Sequence, residues 1–307
     1  MARATKIEKD HGLDVRMFMT GLGLVVLYAL IVVILLRVGV ALGFVIVIGV
    51  ALLGSQYYFS DKIAMYSMHA KEVTPQQEPK LHQIVDRLCL LANMEKPRVG
   101  VAEVDFPNAF ATGRNPNHAV VCATRGLMNR LSDEELEAVL AHELSHVAHR
   151  DVAVMTIASG VGMLAGLVSR MALFGAMFGG MGGRGGRGGR GGQNIILVEM
   201  AALLVSVVIY VIAFLLTMAL SRYRELAADR SGAILIGKPS VLASALVHIT
   251  GDMGKIPRND LRKAEGMNAF FFAPALAPGT AGALFSTHPS LEKRLDQLNK
   301  LERELNG

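Results

Sequence analysis

The sequence predicts a mainly α-helical membrane protein with a small β element. An N-terminal transmembrane hairpin precedes a polar domain, which a second hydrophobic hairpin interrupts. Three observations carry this. The 307 residues are 52% apolar and only 19% charged, with a mean hydropathy of +0.40, against about 45–50% apolar and about 25% charged in soluble domains. The apolar residues are concentrated in four long runs, and the residues between those runs have the composition of a folded, water-exposed domain.

The first run is Met17–Leu36 and the second Val38–Phe59, with Arg37 and Gly39 at the junction. About twenty helical residues cross the roughly 30 Å hydrocarbon core, so the pair reads as a hairpin over 17–59. The first run is too long for a signal peptide, and a second span follows it directly. Residues 1–16 carry Arg3, Lys6, Lys9 and Arg16. Positive charge flanking a span marks the cytoplasmic side, so both hairpin ends are expected there and the partner is a lipid bilayer. The net charge of +5 does not point to nucleic acid, because the basic residues flank apolar segments and no aromatic platform accompanies them. Cys89 and Cys122 have no C-x-x-C spacing, which fits free thiols in a reducing compartment.

Residues 60–151 form the first part of the polar domain. Leu81, Ile84, Val85, Leu88 and Leu91 recur at helical spacing within 76–94. The β-branched stretches 98–104 and 119–122 read as strands, with the Asn115-Pro116-Asn117 turn signal before the second. Ser132 and Glu135 form a capping box that opens a helix over about 133–150. Residues 152–220 are the second hydrophobic hairpin, broken by a Gly-Gly-Arg loop at 179–192 that is too glycine-rich to pack. Residues 221–307 complete the domain, with helices expected over 240–249 and 290–305 and no assignment for 266–282.

The chemistry is concentrated in His142-Glu143-Leu144-Ser145-His146, which lies inside the capped helix. At 3.6 residues per turn, His142 and His146 sit one above the other and both imidazoles can reach one ion. Glu143 lies to the side, where it can take a proton from water as general base. A catalytic zinc ion takes three protein ligands and keeps one position open. Glu225, where the fourth run becomes polar, is the candidate third ligand. Asp229, one turn further on, can hydrogen-bond a ligand imidazole from behind. His149, His288 and Asp151 are rival ligands. A non-catalytic metal-binding membrane regulator or scaffold is the alternative reading, against which the base beside the two histidines argues.

His142-Glu143-x-x-His146 with Asp151 five residues later, and Glu225-x-x-x-Asp229 after a hydrophobic hairpin, resemble the HtpX-type membrane zinc metalloproteases, relatives of the CAAX prenyl proteases. The resemblance covers nearly the whole chain, including Asn108-Ala109-Phe110 and His288-Pro289-Ser290. It implies a gluzincin-like metalloprotease domain with one Zn2+ per chain, held by His142, His146 and Glu225, with Asp229 and Asp151 behind the ligands. It also implies an endopeptidase of the stress-response and quality-control type, acting on misfolded or membrane polypeptides at the cytoplasmic face of a bacterial inner membrane. By the same likeness, Asn108, Ala109, Phe110, Ala111 and Thr112 are the edge strand that pairs with substrate. His288 and Arg294 then stand beside the zinc as donors to the oxyanion.

Overall fold

The computed structural model describes residues 11–37, 42–160, a few positions up to 170, 191–253 and 287–306. The Gly-Gly-Arg loop, apart from Gly191 and Gly192, and the 266–282 segment lie outside the described residues. The chain forms two compact units. One is built mainly from Gln56–Val154 and the chain from Ser221 onward, the other from Phe18–Ser55 and Met155–Leu220.

The second unit is helical. It contains most of α1 (His11–Arg37) and of α2 (Leu42–Tyr58), a helical stretch over 155–160, and the helix Gly191–Ile236 as far as Leu220. Leu24, Leu27 and Ile31 of α1 face inward while Val25, Val26, Leu30 and Val33 are exposed. An apolar outer face on an apolar helix is the pattern of a lipid-facing element. The Tyr28 hydroxyl donates to the Ile157 carbonyl at 2.7 Å, and Gly160 leaves the room that this approach requires: a Cβ there would stand 2.2 Å from the tyrosine oxygen. Among the described residues, Gly12–Val33 and Val207–Ile236 are long and apolar enough to cross a bilayer.

The first unit carries α3 (Ser60–Ser67), β1 (Ala70–Glu72), α4 (Pro79–Ala92), β2 (Arg98–Ala102), β3 (Ala109–Thr112), β4 (Val120–Thr124), α5 (Arg125–Arg130) and α6 (Asp133–Ala148). The long helix Gly191–Ile236, here α7, ends in this unit and is followed by α8 (Pro239–Met253) and α9 (Leu291–Asn306). The sheet order is β1-β2-β4-β3, with β2 and β4 parallel and both outer pairs antiparallel. Strand alternation sends Ala109, Val121 and Ala123 into a core with Leu136, Val139, Leu140 and Leu144 of α6. Phe110, Val120 and Cys122 go to the opposite face, where Ala64 and Met68 pack on them.

Local chemistry explains the boundaries. Pro79 opens α4 and Asn93, in the left-handed conformation, closes it. The Ser132/Glu135 capping box is fully formed at the start of α6. The 98–104 stretch stops pairing at Ala102, two residues short of the expected end. The segment around Asn115-Pro116-Asn117 is a single 3₁₀ turn in which Asn115 Oδ1 accepts from the His118 amide. The strand β1 has no sequence signal, since Ala-Lys-Glu lacks the residues that favour strands. The fourth apolar run and the polar segment carrying Glu225 are one uninterrupted helix.

Candidate metal centre and active site

Two helices bring the site together. The α6 helix carries His142, Glu143 and His146, and α7 carries Glu225 and Asp229. They come into tight contact at Gly232, where an added Cβ would lie 2.7 Å from the His142 nitrogen and 2.9 Å from its Cα. Only glycine fits there, and the contact presses the polar end of α7 against the histidine face of α6.

The donor atoms converge. His142 Nε2 and His146 Nε2 are 3.1 Å apart. Glu225 Oε2 is 3.8 Å from the first and Glu225 Oε1 3.4 Å from the second. Around a tetrahedral zinc with bonds of about 2.0–2.2 Å, ligand atoms are separated by roughly 3.3–3.6 Å. The other ring nitrogens are already committed. His142 Nδ1 lies 2.9 Å from Asp229 Oδ1, and His146 Nδ1 lies 2.6 Å from Asp151 Oδ2. Each carboxylate fixes its imidazole with the proton on Nδ1 and leaves the Nε2 lone pair facing the other histidine. Once His146 gives up its proton, two lone pairs and a carboxylate face one another at this spacing, a donor set that fits a divalent ion. Among the described residues, His142, His146 and Glu225 form the one cluster with metal-binding geometry.

These supporting carboxylates are held in turn. Arg294 Nε and Nη2 donate to Asp229 Oδ2 and Oδ1 at 2.7 and 2.6 Å, a forked pair with both residues buried. Arg224 pairs with Asp151 and also donates to the His149 carbonyl at 3.2 Å. Asp151 reaches His146 because Arg150 adopts φ 56° just after α6 and turns the chain back. His288 Nδ1 donates to Glu225 Oε2 at 2.9 Å. Of the expected oxyanion donors, His288 thus touches Glu225 and Arg294 touches Asp229. His149 points elsewhere, with Nε2 3.5 Å from the Ser231 hydroxyl.

The edge strand completes the cleft. In β3 the Ala111 amide points away from the sheet and donates to Glu143 Oε2 at 2.9 Å. Asn108 precedes the strand and is fully buried, its amide donating to the Thr124 hydroxyl at 2.9 Å. Phe110 faces α3, and Thr112 pairs with Val120. Beyond the strand, Thr112, Gly113, Asn115, His146, Val147 and Arg150 line a small cavity.

Burial governs the titration of the site in the metal-free protein. It pushes His142 down to about 4, against the pull of Asp229, so this imidazole is neutral and able to ligate. Burial, partly offset by the His146 charge, pushes the Glu143 carboxyl up to about 8. Burial acts on His146 as well, but the hydrogen bond and charge of Glu225 overcome it and raise that pKa. No sequence pattern points to Gly232, to the Arg224–Asp151 pair or to the Ala111–Glu143 bond. Each depends on which helices meet, and no local pattern encodes that.

The donor cluster on α6 and α7 beside an edge strand fits a metalloprotease, and the family match and relatives make the class plain: a membrane metalloprotease. The chain belongs to peptidase family M48, whose model matches residues 75–302. It is 50% identical to the protease HtpX homolog 1 of Streptomyces coelicolor, over 98% of this chain and 96% of that protein. It is 48% identical to the protease HtpX homolog 2 of Methanosarcina acetivorans, over 98% and 99% respectively. In fold it is similar to the crystal structure of S. mikatae Ste24p, with a TM-score of 0.56 and 18% identity, covering 94% of this chain and 67% of that one.

Proposed function

We propose that this membrane metalloprotease is a zinc endopeptidase that cleaves misfolded or membrane polypeptides at the cytoplasmic face of a bacterial inner membrane, as part of membrane protein quality control. The observation that supports it best is the convergence of two imidazole Nε2 atoms and the Glu225 carboxylate, with both Nδ1 atoms held by aspartates. Zinc bound to His142, His146 and Glu225 supplies Lewis acidity toward a water and a peptide carbonyl.

The chain's own residues do the rest. Glu143 accepts the proton of the attacking water and passes it to the leaving amine. An extended substrate pairs with β3 in place of the Glu143–Ala111 bond. Main-chain pairing of this kind tolerates many sequences, as a quality-control protease requires. Arg294 and His288 act as positioning residues, holding Asp229 and Glu225 in place.

Topology is consistent with this reading. His146 and Glu225 serve one ion, so the chain between them crosses the bilayer twice or not at all. The apolar run within α7 ends near Leu220, before Arg222, Arg224 and Glu225. The basic N-terminus sets the cytoplasmic side.

The test is to purify the protein in detergent with chelator, restore zinc and follow casein cleavage. Glu143→Gln should bind zinc and lose cleavage. Glu225→Ala should lose both. Normal cleavage by the glutamine variant would refute the mechanism.

A further inference from the structure

The α3 helix has an unpartnered apolar face. Phe59, Ile63 and Tyr66 lie at i, i+4 and i+7, on one side of the helix, and are 50%, 50% and 86% exposed. The opposite side is anchored, with Ala64 and Met68 buried against Phe110, Val120 and Cys122 of the sheet. Asp61 is drawn away from the apolar stripe by Arg98 at 2.5 Å. Lys62 borders the stripe, its ammonium 5.8 Å from the Phe59 ring. The Arg114 guanidinium stands 5.1 Å over the ring of Tyr58, the last residue of α2.

We propose that α3 lies in the headgroup layer of an anionic bilayer, with Phe59, Ile63 and Tyr66 inserted and Lys62 and Arg114 at the phosphates. Chain continuity favours lipid over a protein partner. A single residue separates the end of apolar α2 from the start of α3, so the stripe cannot be far from the surface that α2 enters. Aromatic rings on an apolar stripe, rimmed by cations, are the composition of an interfacial helix, and anionic headgroups attract such cations. Because α3 packs on Phe110, and Arg114 follows β3 by way of Gly113, this docking would hold the edge strand close to the membrane plane. Polypeptide just emerging from the bilayer would then be the segment within reach.

The chain contains no tryptophan, so Tyr66→Trp introduces a single fluorophore at a site with room for it. The full chain carrying this change would be placed, one molecule per disc, in lipid nanodiscs of phosphatidylcholine with phosphatidylglycerol. Expected are blue-shifted emission, strong quenching by lipids brominated near the headgroup end of the acyl chain, and protection from aqueous iodide. Adding Lys62→Gln and Arg114→Gln should weaken the quenching in anionic discs and leave it unchanged in neutral ones. Iodide-accessible emission with no bromolipid quenching would overturn the proposal. Protection from both quenchers would overturn it too, by showing a protein cover in place of lipid. Casein cleavage in detergent is read separately, so failure of the docking and failure of the zinc mechanism are distinguishable.

Discussion

Gly232→Ala tests whether the helix crossing sets the metal site. The new methyl would stand 2.7 Å from the His142 nitrogen, 2.9 Å from its Cα and 3.0 Å from the Ala141 carbonyl carbon. Carbon atoms attract at about 3.5–4.0 Å, and the obstructing atoms belong to helix backbone, so no rotamer change relieves the clash. The helices must separate by roughly 0.5–1 Å, with an overpacking cost of about 1–3 kcal/mol. Gly232 lies one turn beyond Asp229 and two beyond Glu225, so the separation draws both away from the histidines. Metal sites tolerate about ±0.2 Å, and a misplacement near 1 Å in a catalytic constellation costs about 100-fold in rate. Zinc affinity, from competition with a chromophoric chelator, should fall about 10–100-fold, and casein cleavage at saturating zinc should fall as well. Thermal unfolding in detergent separates this from global collapse. Wild-type affinity and cleavage in a folded Gly232→Ala protein would mean that the helix crossing does not set the metal site.

Two further outcomes follow from the supporting charges. Arg294→Leu leaves the Asp229 carboxylate buried without its forked partner, a loss of about 3–5 kcal/mol; zinc affinity should drop with stability, and Arg294→Lys should restore only part, because an ammonium cannot fork. The metal-free protein should also have a bell-shaped dependence of Tm on pH. His142, lowered from 6.5 to about 4, contributes stability in full above pH 6.5 and loses it as pH falls toward 4, about 3 kcal/mol in all. Glu143, raised from 4.5 to about 8, favours its protonated form, so its contribution is lost as pH rises from 4.5 to 8. The two oppose each other between 4.5 and 6.5, and Tm should decline on either side; a Tm that rises steadily from pH 6.5 to 8 would contradict the burial of Glu143.

Much of this was legible where local pattern and chemistry coincide. The capping box fixed the start of α6, the period of 3.6 put both histidines on one face, and the run of apolar residues into Arg224-Glu225 anticipated a continuous helix. Short elements carried little signal of their own. Ala-Lys-Glu in β1 has no strand preference and is a strand because its neighbour supplies the hydrogen bonds, whereas the strand at Ala109–Thr112 was expected only from the family resemblance. The targets of His288 and Arg294 were out of reach as well. The family resemblance places both near the site, but the choice of Glu225 and Asp229 as partners depends on how α9 and the chain before it meet α7. Arg150 gave no warning of its left-handed turn, which is what brings Asp151 to His146.

X-ray absorption at the zinc edge, on protein reconstituted in detergent, reads the ligands of the ion without reference to activity. Two imidazoles and carboxylate oxygen at about 2.0–2.2 Å, with no sulfur at 2.3 Å, are the expected shell, and Glu225→Ala should change it while Glu143→Gln should not. A single imidazole, a sulfur ligand or a shell indifferent to Glu225 would contradict the account.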